Sequence, residues 1–384
     1  MTRPTKIIHV QLLPLMSGVQ KVSLDELSQL DPIRYERVVV CKCDGEFTEN
    51  LRRIGVRVHL VPELERTISP VQDIRAYIAL RKFFGKERPD IVHTHSSKTG
   101  VLGRLAAHAA GVPRIVHTVH GFAFPSESRK LVKAIYMLLE RLSGKVTDTM
   151  IVLNESDAWI ARNMLGIPNN CIIRLPNGVD VDTYAPASRD ARLRLRRTAF
   201  GVEYDKDIIV AMVGRLWEQK NPQCFVRAAI QVLRTHSNVR FFMIGDGEFR
   251  ADLEATIEAA NLTESIKILG WRNDVPDLLK ALDVMVLPSR WEGMPLAILE
   301  AMSSAVPVVA SDIPGNHHLV KDGRDGRLFP PDDSVALATA LVDIIDDPLK
   351  REYFAKNARA KVIAEFSLSL RMNNITQIYL DTLR

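Results

Sequence analysis

The chain has 384 residues, 46% hydrophobic and 25% charged, with a formal net charge of +5. That length suits two domains of ordinary size, and the composition excludes a disordered or fibrous protein. No apolar run approaches the roughly 20 residues that cross a bilayer, which excludes a spanning helix.

Short β-branched runs alternate with longer helical patterns from end to end. The first segment, Met1 to Val10, is charged and runs straight into a strand pattern, so no signal peptide is expected. In the first half, Lys6–Leu12, Arg37–Cys43, Val56–Val61, Ile91–Thr94, Arg114–Thr118, Met150–Leu153 and Cys171–Leu175 read as strands. Helical stretches such as Gln20–Gln29, Val71–Gly85, Gly100–Ala110 and Ser126–Ser143 lie between most of them. The second half repeats the alternation with Ile208–Val213, Arg240–Ile244, Ile266–Leu269, Val284–Leu287 and Val306–Ala310. Strand–helix alternation of this kind specifies α/β architecture: parallel sheets covered by helices, here two doubly wound domains. A hinge is expected near 185–206, giving domains of 1–188 and 189–366, with the last helix, 367–384, packing back on the first domain.

Residues 1–185 carry an excess of six positive charges and residues 186–384 an excess of one negative. A basic first half can attract phospholipid or phosphorylated ligands, but no nucleic-acid module accompanies it, so nucleic acid is not expected as a partner. Cys41, Cys43, Cys171 and Cys224 lie in unrelated contexts and read as free thiols in a reducing cytoplasm.

Ligands of doubly wound sheets bind beyond the C-terminal strand ends, so the loops there carry the chemistry. The most informative runs Leu287-Pro288-Ser289-Arg290-Trp291-Glu292-Gly293-Met294-Pro295-Leu296 and continues to Glu300. Pro295 suits the first turn of a helix, Gly293 lets backbone approach a ligand, and the helix N-terminus favours a diphosphate. Glu300 lies five residues past Pro295, about 7.5 Å along the axis, where a carboxylate can accept from ribose hydroxyls. Glu292 can accept from sugar hydroxyls. A second loop, Gly214 to Pro222, brings the cations Arg215 and Lys220 to the same mouth, and Asn221-Pro222 reads as a helix start. Gly18, after the first strand, allows a backbone approach to phosphate. His120, beside Gly121, follows another strand. His117 with His120, and His93 with His95, are metal-type pairs, but no further ligand has fitting spacing and no metal site is expected. Gly245-Asp246-Gly247 lacks the third glycine of a dinucleotide fingerprint and reads as a tight turn, and Asp180-Val181-Asp182 reads as a turn in Pro176–Asp180.

Taken in order, these loops resemble the retaining GT-B glycosyltransferases of family 4 over nearly the whole chain, with Glu292 and Glu300 in an E-x7-E arrangement. The resemblance implies the GT-B fold, two Rossmann-like domains facing a central cleft. It also implies transfer of a hexose or N-acetylhexosamine from a nucleoside diphosphate, usually UDP, with retained configuration. On that resemblance Arg215 and Lys220 bind the diphosphate, Glu300 the ribose and Glu292 the donor sugar. The backbone of Gly293, Met294, Pro295 and Leu296 cradles phosphates and sugar, and Trp271 and Arg272 lie by the base. Gly18 and Asn177 join the donor-binding set, and His120 lies near the reacting centre. Ser17 departs from the pattern, standing where the family often has a second glycine. Negative charge developing on the departing diphosphate would be met by Arg215, Lys220 and the helix N-terminus, so neither metal nor cofactor is expected. No second carboxylate for a covalent glycosyl-enzyme is evident, and the family implies front-face substitution.

The stretch His95–Gly100 with His117–Phe124 resembles bacterial enzymes of capsule, exopolysaccharide or O-antigen assembly, which implies a glycan or polyprenyl-diphosphate-linked acceptor. Residues 126–145 combine Arg129, Lys130, Lys133, Arg141 and Lys145 with Leu131, Ile135, Tyr136, Leu138 and Leu139. A basic amphipathic helix of this kind lies either on an anionic membrane surface or against the sheet, and the first reading places the protein peripherally at the inner face of the plasma membrane. The competing functions are a GT-B-fold UDP-sugar 2-epimerase and a non-catalytic sugar-nucleotide-binding protein. The combined Arg–Lys and E-x7-E loops rank both behind.

Overall fold

The computed structural model describes residues 3–67, 69–122, 124–125, 129–202 and 206–382. The chain divides into two compact units, Met1–Asn177 with Ser369–Arg384, and Gly178–Leu368.

The first unit holds seven strands: β1 (Thr5–Val10), β2 (Tyr35–Cys41), β3 (Arg57–Leu60), β4 (Ile91–His95), β5 (Arg114–Val119), β6 (Thr149–Val152) and β7 (Ile172–Arg174). They form one parallel sheet in the order β3-β2-β1-β4-β5-β6-β7. The second unit holds β8 (Ile208–Val213), β9 (Val239–Ile244), β10 (Ile266–Gly270), β11 (Val284–Leu287), β12 (Val308–Ser311) and β13 (Gly326–Phe329). Its order is β10-β9-β8-β11-β12-β13, also parallel. Both orders reverse direction once, between β1 and β4 and between β8 and β11. In doubly wound sheets the helices that follow two such strands lie on opposite faces, and ligands bind at the C-terminal edge there.

Strands buried on both faces read as continuous apolar runs, and every residue of β8 is buried. β13 escaped the sequence pattern because Arg327 interrupts only four residues. Its register with β12, Val308 opposite Gly326 through Ser311 opposite Phe329, defines it. The cores are separate. Ile8, Val38, Leu80, Phe84 and Val92 anchor the first, and Met212, Phe225, Phe241, Leu341 and Ile344 the second.

The last helix, Leu368–Thr382, is held in the first unit by a buried ion pair. Arg371 donates from Nε and Nη2 to Glu26 Oε1 at 2.9 and 2.6 Å, and from Nη1 to the Leu175 and Pro176 carbonyls at 3.0 and 2.6 Å. Burial lifts the Glu26 pKa while the guanidinium opposes that rise. Removing the cation would strand a buried carboxylate. Arg371→Leu is therefore expected to destabilise the protein by about 3–5 kcal/mol. The measurement is the urea midpoint, and the Glu26→Gln, Arg371→Leu double variant should recover part of the loss.

Candidate active site

The loops after β8 and β11 meet at the strand-order reversal of the second unit. Lys220 Nζ lies 2.5 Å from Glu292 Oε1, which also accepts from Ser289 Oγ at 2.7 Å. Gln219 ties the loops together, donating from Nε2 to the Trp291 carbonyl at 2.8 Å and accepting from the Arg290 amide at 2.8 Å. The pair is largely shielded, with the Glu292 side chain 8% exposed. A cation and a carboxylate are thus held together at the crevice, with Ser289 orienting the carboxylate.

Glu300 sits on the helix Leu296–Ser303 and is buried, accepting from Tyr184 Oη at 3.0 Å. Pro295 is the residue before that helix, with extended backbone, rather than part of its first turn. Its ring therefore directs the loop into the helix while Gly293 and Met294 precede it. Asn221 likewise precedes the helix Pro222–Leu233, but its backbone is left-handed and its Nδ2 donates to Asp332 instead of capping. Arg215 does not join Lys220 on Glu292: it pairs with Glu248 at 3.2 Å and lies 5.0 Å above the Trp217 ring.

Three turns interlock beside this pair. The Gly245 amide donates to the Gly270 carbonyl at 2.8 Å, and Leu216 N donates to the Asp246 carbonyl at 2.9 Å. A side chain at Gly245, where φ is +145°, would meet the Gly214 carbonyl oxygen at 2.0 Å. The glycine turn read from the sequence is thus a close backbone crossing. It seats Trp271, 66% exposed, at the rim, while Asp274 holds Arg272 through two hydrogen bonds of 2.8 and 2.5 Å. Asp180 accepts from the Asp182 and Thr183 amides, so the Asp-x-Asp segment is a turn.

In the first unit Gly18 opens the helix Gly18–Gln29 and is exposed, with Ser17 before it. Asn177 is buried at the end of its segment. His117 is buried too, packed on Gly100 and bonded to Thr94, a structural position. His120 is partly exposed after β5, with Nε2 3.1 Å from His95 Nδ1. Sequence spacing missed the company His93 and His95 keep. His9 stands opposite His93 on the neighbouring strand, and donor atoms of His9, Glu26, His93 and His95 all lie within 4.8 Å of one another. The His-x-His alternation on β4 signalled a shared face; the contributions from β1 and the following helix needed the sheet order. Cys41 and Cys224 are buried thiols, each pushed up to about 11 by burial, while Cys43 is exposed.

This architecture and chemistry have close counterparts. A family model described as glycosyl transferases group 1 matches residues 197–361, and a glycosyl transferase 4-like domain matches 17–178. An Escherichia coli UDP-Gal:α-D-GlcNAc-diphosphoundecaprenol α-1,3-galactosyltransferase is 44% identical over 98% of this chain and 97% of its own. The chain belongs to the family 4 GT-B glycosyltransferases. A Campylobacter jejuni N,N'-diacetylbacillosaminyl-diphospho-undecaprenol α-1,3-N-acetylgalactosaminyltransferase is 27% identical over 90% of each chain. The fold matches that of Anabaena HepE in complex with UDP and glucose, with a TM-score of 0.85, 22% identity and coverage of 98% and 100%.

In this glycosyltransferase Gly315 backs the carboxylate loop. A Cβ there would lie 2.4 Å from the Glu292 carbonyl oxygen. Gly315→Ala is expected to displace the Glu292 loop and, if this candidate site is the active site, to reduce kcat by about 10²-fold, since small misplacements within an active site are costly. Gly85→Ala, which meets nothing within 4 Å, should leave turnover unchanged in the same assay.

The buried histidines give the enzyme an acid-sensitive core. Desolvation lowers the buried His9 and the partly shielded His120 to about 3, and holds His93, His95 and His117 well below the usual 6.5. Below pH 6.5 the unfolded chain takes up protons that the folded one refuses, so stability falls as pH falls, by about 1.4 kcal/mol per unit for each group. Asp157, raised to about 6, and Glu26 act in the opposite sense and offset part of the loss. The melting temperature is expected to drop between pH 6.5 and 5, which calorimetry across that range checks.

Proposed function

We propose that the enzyme transfers a hexose or N-acetylhexosamine from a UDP-sugar to a sugar carried on a polyprenyl diphosphate, retaining configuration and using no divalent metal. The observation that carries this reading is the Lys220–Glu292 pair at the strand-order reversal, beside the start of the helix Leu296–Ser303. Lys220 exchanges its protein carboxylate for a diphosphate, and the helix N-terminus adds backbone N–H groups. Glu292 then accepts from donor-sugar hydroxyls, Glu300 from the ribose, and His120 meets the reacting sugar. The bond from the anomeric carbon to the UDP oxygen breaks, and a bond to an acceptor hydroxyl oxygen forms. The hydroxyl proton passes to the departing phosphate, so UDP and a glycoside are the products. The acceptor assignment is supported by the identity with the E. coli and C. jejuni transferases, whose acceptors are undecaprenyl-diphosphate sugars.

Such an acceptor lies at a membrane. Among the described residues no helix is long and apolar enough to cross one. The helix Lys130–Gly144 instead exposes Leu131, Ile135, Leu138 and Leu142 along one face, with Arg129, Lys130 and Lys145 beside them; residues 126–128 of the basic segment lie outside the described residues. Leu131 is 74% exposed, so the sheet does not use this stripe. An apolar stripe flanked by cations suits the peripheral, inner-leaflet position.

Lys220→Ala and Glu292→Ala are expected to lower UDP release from UDP-sugar plus a synthetic polyprenyl-diphosphate acceptor by about 10²-fold or more, with unchanged circular dichroism. Full turnover by folded Lys220→Ala, or loss of activity in EDTA, would overturn the donor-side assignment. The protein should co-sediment with phosphatidylglycerol vesicles at low salt and lose that binding in Leu131→Asp, Leu138→Asp. Equal binding by that variant removes the helix from the proposal.

A further inference from the structure

Five hydrogen-bond distances link six side chains through the interior of the first unit. His120 Nε2 lies 3.1 Å from His95 Nδ1, and His95 Nε2 lies 3.1 Å from His9 Nδ1. His9 Nε2 lies 3.2 Å from Tyr379 Oη, which is 2.7 Å from His93 Nδ1, and His93 Nε2 ends the series 2.8 Å from Thr118 Oγ1. His9, His93, His95, Thr118 and Tyr379 are buried. Burial keeps all four imidazoles neutral, so each has one N–H and one lone pair. Direction is therefore preserved through each ring, because an imidazole that accepts on one nitrogen donates from the other, and Tyr379, between His9 and His93, is where it is set.

The distances choose the direction. Tyr379 has one proton to give. At 2.7 Å its contact with His93 has the length of an O–H donor, whereas 3.2 Å to His9 has that of an N–H donor. Tyr379 thus donates to His93 Nδ1 and accepts from His9 Nε2–H. His93 then donates from Nε2 to Thr118. In the other direction His9 accepts on Nδ1 from His95 Nε2–H, and His95 accepts on Nδ1 from His120 Nε2–H. All four rings carry the proton on Nε2, the form a free neutral imidazole prefers. Ser23 Oγ, 3.3 Å from both His9 and His95, accepts from Gln11 Nε2 at 2.6 Å and closes the side of the series.

We propose that this chain sets the tautomer of His120, leaving its Nδ1 as a lone-pair acceptor for a sugar hydroxyl, and that Tyr379 on the last helix is the positioning residue that fixes the direction. The role at the sugar rests on the reading of His120 given above; the direction of the chain does not. Removing the Tyr379 hydroxyl strands the His9 Nε2–H. Moving that proton to Nδ1 restores donation to His95, and in turn from His95 Nδ1 to His120 Nε2. His120 would then present Nδ1–H, a donor in place of an acceptor. The same cluster also offers donors to a metal, but an ion on His9, His93 and His95 would consume lone pairs that the chain uses.

Side-chain 15N spectra of the full-length protein labelled at histidine test this, with His120→Gln assigning the resonance. The wild type is expected to show His120 protonated on Nε2, and Tyr379→Phe to show it protonated on Nδ1. In that variant kcat should fall about tenfold or more with little change in the donor KM. A wild-type His120 protonated on Nδ1, an unchanged tautomer in folded Tyr379→Phe, or stoichiometric divalent metal in the purified protein would each falsify the chain. Should Tyr379→Phe not fold, Thr118→Val interrupts the far end, and an unchanged tautomer there overturns it equally. Full activity of His120→Gln with the expected spectra would instead remove His120 from the reaction while leaving the chain standing.

Discussion

A parallel sheet covered on both faces leaves its side chains no access to solvent except at the strand ends, and the second unit's candidate site follows from that constraint. β8 and β11 are apolar along their length, so polarity is displaced into the turns that leave them. Those turns hold Lys220, Ser289 and Glu292. The reversal of strand order between β8 and β11 separates the following helices and lets the turns converge. Glycine is then required where two turns cross, as at Gly245 against Gly214, because any side chain would displace backbone.

The Lys220–Glu292 pair balances its charges within the second unit. A shielded cation needs a counter-charge, and Glu292 supplies one within its own unit. On the proposed function a diphosphate would be a stronger partner for the lysine, and sugar hydroxyls would donate to the released carboxylate. Arg215, more exposed and paired with Glu248, costs less to redirect, since exposed ion pairs contribute little.

The first unit solves a different problem. Three imidazoles, His9, His93 and His95, are buried together where charge cannot be tolerated, and neutrality is affordable only if each ring finds a donor and an acceptor. The Tyr379 hydroxyl, brought by the last helix, completes that arrangement, and Arg371 on the same helix holds it in place by pairing with Glu26 of the first helix. Sequence-remote groups therefore meet in one hydrogen-bonded series whose outer end is His120.

The alternating apolar runs and turns of this chain were enough to specify α/β units and nearly all their strands, because burial on both faces imposes a local pattern. The loops with Glu292, Glu300 and Lys220 were legible for a related reason: proline, glycine and charge cluster where a strand turns into a helix. Local sequence could not show that Arg215 turns to Glu248, that Pro295 stands before its helix, or that β13 exists, since each depends on a neighbour supplied by the sheet order. Nor could it bring His9, His93 and His95 to Tyr379. Hydrogen bonds between residues up to 370 positions apart leave no periodicity to read, and only the packed fold decides which nitrogen each ring offers.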